Sequence, residues 1–279
     1  MDQPTVGILH PGSMGAAVAA SAATNAAAVL WCQAGRSPAS AARATQFGLT
    51  GVHTLAELLH RSDIIISLCP PAAAEDLARD VARHGFAGVY VEANAINPER
   101  AQRITALLEP DATVVDGGVV GSPPVGGKTP TLYLSGPNAA TERIEALFAG
   151  TALRTAMLGT EVGKASALKL AYTSFQKTSR VLVALAVGMA REHGVDQELF
   201  EVASKRADSY LSEPQYIAKT AARAWRWGPE LEEAADALAA AGLPPEMLRA
   251  AASTLARWHD VQDDGGLTLQ DALDRLAQL

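Results

Sequence analysis

"VGILHPGSMGAAVAA", residues 6–20, is the stretch that decides the fold. A short apolar run leads into a Pro-Gly turn, and small helix-forming residues follow. This reads as a strand, a tight turn and the opening of a helix. The dinucleotide fingerprint G-x-G-x-x-G in that context places backbone amides and a helix N-terminus against a pyrophosphate. Here the fingerprint falls on His10-Pro11-Gly12-Ser13-Met14-Gly15. Gly12 is expected to allow close backbone approach, and Gly15 tight packing of the helix on the sheet. His10-Pro11 stands where the first glycine belongs, and Pro11 biases His10 toward extended backbone. The expectation is that this loop, with Gly12, Ser13, Met14 and Gly15, still holds a dinucleotide. The alternative is an ordinary strand–turn–helix without a ligand.

Outward from that loop, the chain has two rhythms. Candidate strands lie at 5–9, 28–32, 64–68, 88–92, 112–116 and 130–134, with helical segments near 13–25, 38–47, 54–61, 72–84, 98–108 and 139–148. Such alternation predicts βαβ units in an α/β, doubly wound, Rossmann-type parallel sheet. Beyond about residue 160 the strand signal ends. A helix is predicted over 161–193 and others near 196–210, 214–226, 229–241, 245–259 and 268–278. The expected organisation is a nucleotide-binding domain over 1–160 and an all-α C-terminal domain over 161–279.

Composition narrows the function classes. The chain has 279 residues, 48% of them hydrophobic and 19% charged, with a net charge of −7. No basic stripe is present, which argues against nucleic acid as a partner. The Ala-rich run 16–30 is too short and too interrupted to span a membrane, and no basic segment precedes an apolar one at the N-terminus. Cys32 and Cys69 are the only cysteines, without metal-ligand spacing, which fits a reducing cytoplasm. The six histidines form no pair at metal spacing, so no metal is expected.

The choice between nucleotides rests on an absence. NAD sites carry an Asp or Glu at the end of the second strand, for the ribose 2′-hydroxyl. Between Asp2 and Glu57 this chain has no acidic residue. The second strand runs instead into "QAGRSP" (33–38), where Arg36 and Ser37 fall at the position of a 2′-phosphate and Arg43 follows along the helix. A planar guanidinium suits phosphate, so NADP(H) is expected over NAD.

These segments together resemble the β-hydroxyacid dehydrogenase and 6-phosphogluconate dehydrogenase superfamily, with imine reductases as relatives. "HPGSMG" resembles the family's G-L-G-x-M-G, and "AGRS" its N-R-T/S. "SDIIISLCPP" (62–71) resembles the strand and turn under the nicotinamide ribose, which implicates Cys69 and Pro70. "VEANAINPERA" (91–101) resembles a D-x-S-T-x-x-P segment, with Asn94 for the Ser. "VVDGGVVGSPP" (114–124) resembles the substrate loop D-A-P-V-S-G-G, and "EVGKASALKLAYTS" (161–174) the opening of the interdomain helix. The resemblance implies that Lys169 is the catalytic proton relay during hydride transfer, and that Val120, Gly121 and Ser122 line the substrate. It also implies a homodimer; "VLVALAVGMA" (181–190), apolar nearly all round, fits either an intertwined dimer or a thick core.

Lys169, Tyr172, Thr173 and Gln176 are spaced to share one helix face, with Lys177 beside it. Small apolar flanks would desolvate Lys169, lower its pKa and favour proton transfer near neutrality; the plainer alternative is a lysine snorkelling from a packed helix. Several positions depart from the family. Its Asn-Asn pair is Tyr172-Thr173, which makes Tyr172 a second candidate acid. Its carboxylate-binding Ser falls on Val120, and its later Lys-Asp pair falls on Pro229-Glu230. These departures point away from the usual small hydroxy acid. Cys69 reads better as a small packed hydrophobe than as a reactive thiol. Trp225 and Trp227 line a cleft or pack the helical domain, and Asp208 and Tyr210 have no assigned place. The primary expectation is an NADP-dependent dehydrogenase acting on a small hydroxyl or carbonyl substrate. An imine reductase and a non-catalytic NADP-binding protein are the alternatives.

Overall fold

The computed structural model describes residues 3–205, 210, 213–240 and 242–277, apart from the side chains at 185, 189 and 192. The chain divides into two compact units, one ending at Lys169 and the other beginning at Leu170.

In the first unit, strands and helices alternate as β1 (Thr5–Ile8), α1 (Ser13–Ala22), β2 (Ala28–Cys32), α2 (Pro38–Gln46), β3 (Thr50–Val52), α3 (Leu55–His60), β4 (Ile64–Ser67), α4 (Ala74–Arg83), β5 (Val89–Glu92), α5 (Pro98–Leu108), β6 (Thr113–Val120), β7 (Thr131–Ser135), α6 (Asn138–Phe148) and β8 (Arg154–Met157). They build one eight-stranded sheet in the order β3-β2-β1-β4-β5-β6-β7-β8. Strand order reverses between β1 and β4, which creates a crevice at the strands' carboxyl ends. Helices cover both faces, so β4 is buried at all four positions and reads as an unbroken apolar run rather than an alternating one. On one face Val18, Ala22, Ile144 and Phe148 pack against Ile8, Ile66 and Val91. On the other, Leu58, Val81 and Ile104 pack against Ile65, Tyr90 and Val114.

Three features differ from the sequence expectation. β7 runs antiparallel to β6, so the sheet is not parallel throughout. The connection between them, residues 121–130, contains no helix, and a parallel return needs a crossover of a dozen residues or more. β6 extends through Gly117-Gly118 to Val120, four residues beyond the predicted end. β3 and β8 are short edge strands that the pattern did not predict, the first of three residues and the second nowhere fully buried.

The second unit is helical. α7 (Lys164–Glu192) begins in the first unit and continues into the second, which holds α8 (Asp196–Ser204), α9 (Tyr216–Ala240), α10 (Glu246–Leu255) and α11 (Leu269–Ala277). α9 joins the two helices expected at 214–226 and 229–241 and carries Pro229 inside it. A mid-helix proline removes a backbone hydrogen bond. The apolar face runs through it without a break, with Ile217, Ala221, Ala224, Leu231 and Ala235 all buried, and that burial offsets the loss. Asp208 and residues 206–209 of the predicted 196–210 helix lie outside the described residues. Among the described residues no helix is long and apolar enough to cross a membrane.

Candidate functional site

His10 is not among the residues with positive φ, so the position of the missing glycine demands no glycine conformation here. Gly15 is obligatory, because a Cβ on it would stand 2.3 Å from the His10 carbonyl oxygen. Gly12 is the extended residue before α1, and no side chain caps the helix or places an acid in its first turn. The first amides of α1 are therefore left for an anion. Ser13 is exposed and Met14 half-buried against the sheet.

Two arginines gather at the same loop. Arg36 Nη1 donates to His10 Nδ1 at 2.9 Å, and Nη2 to the Leu9 carbonyl at 2.8 Å. Arg43 Nε donates to the Pro11 carbonyl at 3.2 Å. Ser37 caps α2 by accepting from Ser40 N. Among the described residues neither guanidinium has a carboxylate partner, whereas Arg61, Arg79, Arg83, Arg100 and Arg103 all do. The sequence expectation left Arg36 projecting toward a phosphate; the structure ties it to the loop. Burial first, and then Arg36 and Arg43, push the His10 pKa below its usual value.

Beneath the loop, the ends of β4 and β5 are tied through Asn94. Its Oδ1 accepts from Cys69 N and its Nδ2 donates to Ser67 Oγ at 2.9 Å. Its backbone N–H donates to Glu92 Oε1 at 3.0 Å. Asn94, expected to touch the cofactor, is 2% exposed and acts on the site by fixing the Cys69 amide. Pro70 is exposed just beyond. Burial pushes the half-buried Cys69 thiol up to about 12, so it is no nucleophile at neutral pH. Glu92 is fully buried, and among the described residues its Oε2 meets no hydrogen-bond partner. Burial raises the Glu92 carboxyl to about 8 against the pull of the Asn94 bonds.

The third component is the junction of β6 with α7. Asp116 Oδ2 accepts from the backbone N–H groups of Gly163, Ala165 and Ser166 at 2.9–3.0 Å and from Ser135 Oγ at 2.9 Å. Its Oδ1 accepts from Ser166 Oγ at 2.6 Å. A buried carboxylate thus caps α7 from another strand and fixes where the helix starts. Gly118 permits the approach, since a Cβ there would lie 2.8 Å from Ala165 O and 3.0 Å from Lys169 Cβ. Lys169 is half-buried and its Nζ donates to the Val119 carbonyl at 2.7 Å. The amine is thereby aimed at the end of β6, where Val120 is half-buried and Gly121 and Ser122 are exposed. Sequence reasoning singled out neither Asp116 nor Glu92. One signal was present for Asp116: "EVG" (161–163) offers α7 no Ser, Thr, Asp or Asn cap.

The family described as the NAD binding domain of 6-phosphogluconate dehydrogenase matches residues 5–159, more than half of the chain. The chain belongs to that family. Residues 190–258 match a domain of unknown function, DUF1932. An uncharacterised 28.5 kDa protein of Methanothermus fervidus is 27% identical over 171 residues, 61% of this chain and 65% of that protein. Among solved structures, 3-hydroxyisobutyrate dehydrogenase of Mycobacterium tuberculosis with L-serine is 20% identical, covers 100% of both chains and has a TM-score of 0.77. The Aspergillus terreus reductive aminase, in a complex with NADPH4, cyclohexanone and allyl amine, is 17% identical over 98% of this chain and 99% of its own, with a TM-score of 0.60. An imine reductase from Pseudomonas sp. is 21% identical over 99% of this chain and 100% of its own, with a TM-score of 0.56. At these identities the likeness is one of fold. The 6-phosphogluconate dehydrogenase-type domain fits a dinucleotide on its own residues: an uncapped α1, a Gly15 that admits no Cβ, and two arginines without carboxylates.

In the second unit of this family member, Thr173 is buried, Gln176 half-buried and Tyr172 exposed. Lys177, expected beside the candidate face, is buried and ion-paired to Glu230 of α9. Its Nζ lies 5.5 Å from the Trp227 ring. Glu230, which stands at the position of the family's Asp, is thus paired with a lysine of α7. Trp227 is buried and Trp225 partly exposed. Tyr210 and Tyr216 sandwich the Arg180 guanidinium at 4.1 and 4.0 Å. Among the described residues no group of His, Cys, Asp or Glu could hold a metal ion.

Proposed function

We propose that this protein is an NADP(H)-dependent oxidoreductase acting on a small hydroxyl or carbonyl compound, with Lys169 as the group that holds the transferred proton. The observation that carries the cofactor choice is the Arg36–Arg43 pair, which meets only neutral acceptors at the mouth of the β1–α1 loop. A ribose 2′-phosphate supplies the missing negative charge, whereas a 2′-hydroxyl lacks both it and the acidic partner it would need. When bound, the nicotinamide supplies or accepts the hydride. The chain supplies the rest: the α1 amides and both arginines bind phosphate, Asn94 fixes the turn at Cys69-Pro70, and Asp116 fixes Lys169. Lys169 Nζ gives a proton to the substrate oxygen in reduction and takes it back in oxidation. Free Cys32 and Cys69 support a reducing, cytoplasmic setting. The test is fluorescence titration with NADPH and, separately, NADH. NADPH is expected to bind about 10–100-fold more tightly, the scale of one or two charged hydrogen bonds; equal binding refutes the 2′-phosphate reading.

We further propose a homodimer. Tyr172, Phe175 and Leu182 follow one stripe of α7 and are 43%, 67% and 54% exposed, an apolar face that a second copy would cover. Light scattering at micromolar concentration should give twice the chain mass, and Phe175→Glu should give the chain mass alone. A monomeric wild type contradicts the dimer.

A further inference from the structure

We propose that His10 is the residue that sets cofactor choice, by holding Arg36 in position to read the 2′-phosphate. The inference rests on the NADP(H) reading above and gives the irregular fingerprint a purpose. A guanidinium can only donate hydrogen bonds, so His10 Nδ1, 2.9 Å from Arg36 Nη1, must accept. His10 is therefore neutral and carries its proton on Nε2. Its buried setting and the two nearby guanidiniums keep it so. A glycine at position 10, as the regular fingerprint has, offers no such acceptor.

The hold matters because arginine is long. A free side chain of this type loses rotamer entropy when it is fixed on a ligand. Here Arg36 is fixed beforehand by His10 Nδ1 and the Leu9 carbonyl. Each bond uses one N–H of its terminal nitrogen, and each nitrogen keeps a second for an anion. Neither partner carries charge, so the guanidinium arrives with its field uncompensated. His10 is thus a positioning residue that acts through Arg36.

The experiment compares dissociation constants for NADPH and NADH, by cofactor fluorescence, in wild type, His10→Gly and His10→Asn. Asn places an acceptor oxygen where Nδ1 stood, and Gly places none. The expected result is that His10→Gly lowers the NADPH-over-NADH preference at least tenfold through NADPH alone, and that His10→Asn restores most of it. His10→Ala, which also lacks the acceptor, serves if the glycine variant does not fold. The proposal is overturned if the acceptor-free variants keep the wild-type ratio, if both cofactors weaken together as a mere loop defect would make them, or if Asn is as poor as Gly. A wild type without NADPH preference removes the cofactor reading and this inference with it. A wild type with that preference, unchanged in the variants, removes only the inference.

Discussion

Lys169→Met is expected to lower kcat for NADPH-dependent carbonyl reduction by roughly 10²–10⁴-fold, the range for loss of a positioned general acid. Hydride delivered to a carbonyl carbon leaves an oxyanion, and that oxygen needs a proton as the charge develops. Lys169 Nζ is held by the Val119 carbonyl at the end of β6, on a helix whose start Asp116 fixes through four hydrogen bonds. Methionine keeps the length and apolar stem of lysine and removes only the donor, so NADPH affinity is expected to stay within about threefold of wild type, by the logic that separates proton transfer from uniform binding. The measurement is steady-state turnover across ketones, oxo acids and cyclic imines, beside an NADPH titration of the same preparations. Carbonyl turnover that survives in Lys169→Met removes the proton-holding role. Loss of carbonyl but not imine turnover would favour C=N chemistry, because an iminium brings its own proton. A wild type that binds NADPH and turns over nothing in the panel would be the non-catalytic binder.

What the sequence made legible is what local pattern controls. Apolar runs alternating with helical segments pointed to the Rossmann-type unit, because a strand buried on both faces cannot hide its composition. The antiparallel β7 was legible too, in the absence of any helical segment between 116 and 130, although the strand pattern alone read as parallel. The buried groups of the site were not legible. Glu92 and Asp116 each end an apolar stretch, the usual place for a solvated acid, and only the packing of α5 and α7 shows that neither meets water. The bond between His10 and Arg36 joins residues 26 positions apart. From the sequence the missing glycine read as an irregular turn, and the arginine separately as a ligand for a 2′-phosphate. In the fold they are one contact, and no spacing rule links them.

Glu92→Gln is expected to change how stability depends on pH. The wild-type carboxyl is raised from 4.5 to about 8, by burial first and in smaller part by Asp116, against the Asn94 bonds and Arg100. Below pH 4.5 the folded and unfolded chains both hold the proton. Between 4.5 and about 8 only the folded chain holds it, so unfolding releases a proton, rising pH favours that release, and stability falls by roughly 1.4 kcal/mol per pH unit. Above about 8 the contribution is flat. Glutamine keeps an acceptor for the Asn94 N–H and has nothing to ionise. Denaturant unfolding of both proteins should therefore diverge in the variant's favour by about 4 kcal/mol between pH 5 and pH 8. Parallel curves would mean that Glu92 holds no extra proton in the folded state. The site should follow the same titration, because Glu92 supports Asn94 and Asn94 holds the Cys69 amide. Once Glu92 is ionised, a bare carboxylate beneath that turn must draw in water or shift, and NADPH affinity should weaken above about pH 8 in wild type and hold in Glu92→Gln.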